Sequence, residues 1–127
     1  MALSAARGAA GIRERFPQSL RLRRREEFLR IQREGIKVST EPLLALALRN
    51  PGAVTRLGVT VSTKVGNAVV RNQIRRRLRE IFRRHRHELP QGIDVVLIAT
   101  SRAGRADFAA LSGAYCMLAS KLKRHFS

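Results

Sequence analysis

Residues 64–83, KVGNAVVRNQIRRRLREIFR, limit the architecture of this chain more than any other stretch. Gly66 and Asn67 supply a turn, and the pattern after them is helical. At about 100° per residue, Ile74, Leu78, Ile81, Phe82 and His85 fall on one stripe. Asn72, Arg75, Arg76, Arg79, Arg83 and Arg86 fall on another, roughly 100° wide. The first stripe suits a core. The second gathers five guanidiniums with no acid among them, and Glu80 lies only at its edge. Like charges this close repel one another and lower helix stability. A solvated face normally offsets Arg with Glu at four-residue spacing. A polyanion relieves the repulsion instead, and the usual polyanion for Arg is a nucleic-acid backbone.

The rest of the composition agrees. The chain has 127 residues and a formal charge of +17, and 22 of its 26 basic residues are Arg. Arg presents a planar fork that binds phosphate bidentately and stacks on bases. With 44% apolar residues the chain can build a core without covalent staples. We expect a flexible N-terminal tail over residues 1–19 and a single domain over residues 20–127. Cys116 is alone, so an internal disulfide is excluded. The longest apolar runs, residues 43–48 and 95–99, are too short to span a bilayer, and the N-terminus lacks the apolar block of a signal peptide. These features predict a cytoplasmic protein without a membrane partner.

The pattern along the chain predicts a helix over residues 20–34 that stops at Gly35, with Phe28 and Ile31 on its apolar side. Residues 43–49 and 57–63 are predicted strands, with a turn at residues 50–52. The Arg-rich helix runs from about Ala68 to Glu88, before Pro90. Residues 93–100 form a β-branched, apolar strand. Asp107 N-caps a last helix whose packing stripe is Phe108, Leu111, Tyr115, Leu118 and Leu122. This order implies an α/β (α+β) fold with helices packed on a small mixed sheet.

The candidate sites are those of a binding protein. The turn before the Arg-rich helix exposes backbone N–H groups to an anion, with Lys64 adding a point charge. Phe28 suits either the core or a stack on an unpaired base. With five Phe, one Tyr and no Trp, extensive base stacking is excluded and backbone charge must dominate affinity. His85 and His87 are two apart and His125 is terminal, so no metal site is expected. The nine carboxylates are scattered, which gives no pair for acid–base work. Cys116 is expected to serve as a small buried hydrophobe.

The motif Ser62-x-Lys64-x-Gly66-Asn67-Ala68-Val69-x-Arg71-Asn72-x-x-Arg75-Arg76-x-x-Arg79-Glu80-x-Phe82-Arg83 resembles the signature of the protein subunit of bacterial ribonuclease P. Arg24-x-Glu26-x-Phe28, followed by Gly35, is similar to that family's first helix, and the likeness covers roughly residues 20–125. It implies a four-stranded mixed sheet with three helices in α-β-β-β-α-β-α order. It also implies a ribosomal-protein-like fold with a left-handed β-α-β crossover, against the usual rule. The activity implied is removal of the 5′ leader from precursor tRNA by a holoenzyme whose RNA subunit, with bound magnesium, does the chemistry. The protein itself then has no catalytic residue and binds no cofactor or metal.

By the same resemblance Lys64, Gly66, Asn67, Arg71, Asn72, Arg75, Arg76, Arg79 and Arg83 face the catalytic RNA, and Phe28 maps to the leader-binding cleft. The partners implied are that RNA, with one protein per RNA, and precursor tRNA. Gln32 stands where a second aromatic is common, Thr63 where a basic residue is common, and residues 43–48 lack aromatics, so leader binding here leans less on stacking. Two alternatives stand beside this reading. One is a ribosomal or other structural RNA-binding protein without a role in cleavage. The other is a small metallonuclease built on Glu26, Glu80, Asp94 and Asp107.

Overall fold

The alternation of buried and half-buried residues over LLALALR sets the centre of the fold. In the computed structural model, which describes residues 20–22 and 24–126, this segment is the strand β2 (Leu43–Arg49). With β1 (Ile36–Thr40), β3 (Arg56–Val61) and β4 (Ile93–Ala99) it forms one mixed sheet in the order β1-β2-β4-β3. Three helices accompany it: α1 (Arg25–Glu34), α2 (Ala68–His85) and α3 (Phe108–Phe126). The predicted α-β-β-β-α-β-α order holds. The tail expected over residues 1–19 lies outside the described residues, as do Arg23 and Ser127.

β4 is buried along almost its whole length, as its apolar run requires, and it lies between β2 and β3. β2 pairs with it antiparallel, Ala45 opposite Leu97, and β3 pairs with it parallel, Val59 opposite Leu97. The turn at residues 50–52 therefore does not make a hairpin; it carries the chain past β4 to the far edge. α2 is the crossover that joins the parallel pair β3 and β4.

Register sorts the two faces of the sheet. Leu43, Ala45, Ala47, Leu57, Val61, Val95, Leu97 and Ala99 face α2 and α3 in the main core. From α2 this core receives Ile74, Leu78, Ile81 and Phe82, the predicted stripe; from α3 it receives Leu111, Tyr115, Leu118 and Leu122. Each such buried side chain contributes about 1.5–3 kcal/mol. Phe108, at the end of the α3 stripe, is only half-buried, with the Arg84 guanidinium 5.7 Å from its ring centre. On the opposite face α1 lays Ile31 and Phe28 over Leu46, Leu48, Val96 and Ile98, with Leu22 beside them.

Three boundaries differ from expectation. Residues 20–22 are not α-helical, and α1 starts only at Arg25. Arg21 bridges to Leu57 and the Leu22 N–H donates to the Leu57 carbonyl at 2.8 Å, so this segment pairs along β3. Leu20 and Leu22 are both buried, and an extended segment satisfies the backbone at the β3 edge in a way a helix there would not. α2 stops at His85, and residues 86–88 tighten into a 3₁₀ turn before Leu89 and Pro90. β3 ends at Val61, since Ser62 caps a 3₁₀ turn over Thr63–Val65 by accepting the Lys64 N–H at 3.1 Å. Asp107 caps α3 as expected, its Oδ1 accepting the Ala110 N–H at 2.8 Å.

Candidate nucleic-acid interface

The basic surface is built on the entry to α2. Asn67 is the N-cap, its Oδ1 accepting the Val70 N–H at 3.0 Å. Gly66 is tightly packed: a Cβ there would meet Val70 Cβ at 3.0 Å. Lys64 and Asn67 are exposed, so the turn, the helix N-terminus and a cation share one open corner.

From that corner Arg71, Arg75 and Arg79 run along α2 at four-residue steps, each half-exposed, with Asn72 and Arg76 exposed beside them. Arg75 donates to Asn72 Oδ1 at 2.9 Å, which holds its guanidinium on the face. Burial first, then the neighbouring charges of Arg21 and Arg75, push Arg79 below the ordinary arginine value. It stays charged at neutral pH, and the direction of the shift records how densely cations are packed. The Nε of Arg71 is buried and lacks a hydrogen-bond partner within the described chain.

Arg83 departs from the free cation the stripe suggested. Its guanidinium donates twice to Glu80, at 3.1 and 2.7 Å, and Arg84 donates to the same carboxylate at 2.7 Å. Arg83 first, then Arg84, holds the Glu80 carboxyl below the usual range. The edge acid thus offsets the C-terminal end of the stripe, whereas residues 64–79 contain no acid.

Tertiary structure adds cations that periodicity did not group. Arg21, which the sequence places at a first helix, stands close enough to Arg79 to shift it. The exposed Arg102 and Arg105 lie on the 3₁₀ turn Ser101–Arg105, which packs on Thr63–Val65 so closely that a Cβ at Gly104 would strike the Val65 carbonyl. Only the fold shows that Arg102 and Arg105 adjoin Lys64.

Phe28 sits on the other face of the sheet. Its ring covers Gly58, where a Cβ would lie 2.7 Å from Cζ. Register places Ser39, Leu44 and Thr60 on this same face, next to Ile98 at the margin of the cluster that α1 covers. Leu44 and Ile98 are half-buried and Ser39 and Thr60 exposed, an open apolar strip next to the Phe28 cluster. Arg56 closes the opposite end. It grips Asp94 through two hydrogen bonds of 2.9 Å and reaches Glu27 of α1 at 3.0 Å.

The four acids of the nuclease alternative serve other ends. Asp94 is buried in the Arg56 grip and also accepts from Asn50 at 2.9 Å, Asp107 caps α3, Glu80 binds two arginines, and Glu26 is exposed on α1. Among the described residues one trio of His, Cys, Asp and Glu does converge, His85, Glu88 and Cys116, and spacing alone did not suggest it.

The ribonuclease P family model matches residues 16–123. The chain belongs to the ribonuclease P protein family. The ribonuclease P protein component of Desulfovibrio desulfuricans is 42% identical over 114 residues, covering 87% of this chain and 88% of that protein. The one from Gluconacetobacter diazotrophicus is 47% identical over 95 residues, covering 73% and 82%. Among solved structures, the RNase P protein of Thermotoga maritima superposes with a TM-score of 0.73 at 37% identity, covering 82% of this chain and 96% of that one. The Staphylococcus aureus RNase P protein gives 0.73 at 28%, covering 81% and 96%. The α+β fold is thus that of the ribonuclease P proteins, and the structural RNA-binding alternative is not favoured.

Proposed function

We propose that the field between Lys64 and Arg79 binds the RNA subunit of ribonuclease P, and that the open strip beside Phe28 receives the single-stranded leader of precursor tRNA. Family membership makes this chain a subunit of the ribonucleoprotein enzyme that processes tRNA 5′ ends, with the RNase P RNA and precursor tRNA as its partners. The finer assignment rests on one observation: an acid-free row of Arg71, Arg75, Arg76 and Arg79, open to solvent and continuous with Lys64, Gly66 and Asn67. Asn72 orients Arg75 within that row, while Arg83 contributes through a carboxylate that a phosphate must compete with.

The physical role is charge screening at fixed positions. Two RNAs that approach each other repel through their phosphates, and each guanidinium placed between them replaces condensed counterions and holds a phosphate bidentately. The RNA with its magnesium carries the cleavage, and the protein lowers the magnesium needed to bring catalyst and substrate together. The half-exposed strip formed by Leu44 and Ile98, without aromatic platforms, supports a leader held chiefly by its backbone and by contact with aliphatic side chains. One protein per RNA is the stoichiometry this single basic surface supports. No helix among the described residues is long and apolar enough to cross a membrane, in keeping with a cytoplasmic site of action.

Reconstitution tests the reading. The pure chain leaves precursor tRNA intact, and its cognate RNA with the chain cuts at a magnesium concentration where the RNA alone is slow. Cleavage by the chain with RNA excluded, or no stimulation, would contradict it.

A further inference from the structure

The C-terminal end of α2 faces the middle of α3 across a contact that the RNA role does not use. His85 is the last residue of α2, Glu88 ends the following 3₁₀ turn, and Cys116 lies on α3. His85 Nδ1 is 2.7 Å from Glu88 Oε2, and the donor atoms of all three side chains lie within 4.8 Å of one another. All three are half-buried, so the cluster is open to an ion from solvent yet held by its surroundings. The buried Tyr115 stands beside it, its ring 6.3 Å from that of His85.

We propose that His85 Nδ1, a Glu88 carboxylate oxygen and Cys116 Sγ form a zinc-class metal site that ties the end of α2 to α3. An imidazole, a carboxylate and a thiol are the donor types of tetrahedral zinc sites. With ordinary zinc bond lengths such donors stand about 3.3–3.6 Å apart; His85 and Glu88 are at 2.7 Å and no donor pair exceeds 4.8 Å, so shifts of about an ångström close the site. Magnesium does not suit it, since that ion demands an octahedron of oxygens. Three protein donors leave a fourth position for water or for His87, whose Nε2 lies 3.9 Å from the Glu88 carboxylate. Without an ion, burial first and then Glu88 push the Cys116 thiol up, so it is a protonated donor to Glu88 and not a resident nucleophile. Binding forms the metal–sulfur and metal–nitrogen bonds, breaks the S–H bond with release of that proton to solvent, and leaves the His85 ring proton on Nε2 after it exchanges from Nδ1 through solvent. The site lies off the arginine face, so it stands apart from the RNA-binding assignment.

The test uses the untagged full chain stripped with chelator and titrated at neutral pH with Co²⁺ as a spectroscopic stand-in, then with Zn²⁺ against a chromophoric chelator. The expected result is one equivalent of Co²⁺ with a thiolate-to-cobalt charge-transfer band, displaced by Zn²⁺ and untouched by Mg²⁺. Cys116→Ser and Glu88→Gln each weaken Zn²⁺ binding by at least about tenfold, because even outer-shell changes cost that much. Circular dichroism confirms that the variants are folded. No charge-transfer band in the folded wild-type chain, or unchanged Zn²⁺ affinity in folded Cys116→Ser, overturns the site.

Discussion

The ring of Phe28 lies directly on the backbone of Gly58, joining α1 to the edge strand β3 with no room for a side chain between them. Phe28 is therefore both an apolar anchor for α1 and one wall of the open strip on the sheet. Gly58→Ala places a carbon 2.7 Å from Cζ, and the ring must move. We expect a loss of about 1–3 kcal/mol in a denaturant melt. Most of that loss is recovered in a Phe28→Leu background, where the clash is gone. Equal losses in both backgrounds would show that the contact is not the cause.

Glu80 restrains the C-terminal end of the RNA-binding face. Replacing it with Gln removes the negative charge that offsets Arg83 and Arg84, so binding to the RNA subunit strengthens. The slope of log K against log salt then steepens by up to about 0.7–0.9 for each added phosphate contact. The same pairing has a pH signature. The folded-state value of Glu80 is depressed, so its contribution is complete above the ordinary carboxylate range and is lost as pH falls through the depressed value. The wild-type melting temperature accordingly drops more steeply than that of Glu80→Gln across the acidic side of that range. Parallel curves would contradict the pairing.

Gln32 stands one turn after Phe28 on α1 and is exposed. Gln32→Phe adds a stacking surface at little cost to stability, since exposed substitutions rarely exceed about 0.5 kcal/mol. A stacked base contributes about 1–3 kcal/mol. Affinity of the holoenzyme should rise for precursor tRNA carrying a leader and stay constant for mature tRNA. An equal change for both would remove the leader from this face.

The sequence showed the α2 stripes because a long helix displays its periodicity without outside help, and Ile74, Leu78, Ile81 and Phe82 are buried as that periodicity requires. The Gly66–Asn67 turn was legible for the same local reason: a cap depends on neighbours in the chain. Residues 20–22 misled, since LRL suits a helix as well as an extended edge, and pairing with Leu57 decides between them. β1 was not resolvable from IKVST, where burial alternates only between half-buried and exposed. Arg21, Arg102 and Arg105 joined the basic surface only through the fold. The trio of His85, Glu88 and Cys116 was hidden because it needs α2 and α3 in contact, a long-range fact that no local spacing carries.

The central claim is that Arg75, Arg76 and Arg79 touch RNA phosphates, and the salt dependence of affinity measures this most directly. Binding of the RNase P RNA to the wild-type chain and to the Arg75→Ala/Arg76→Ala/Arg79→Ala variant should be titrated across a range of monovalent salt. The account predicts weaker binding and a log K against log salt slope shallower by up to about 2–3, the sum of three lost contacts. An unchanged slope in a folded variant would mean that these arginines face only solvent, and would contradict it.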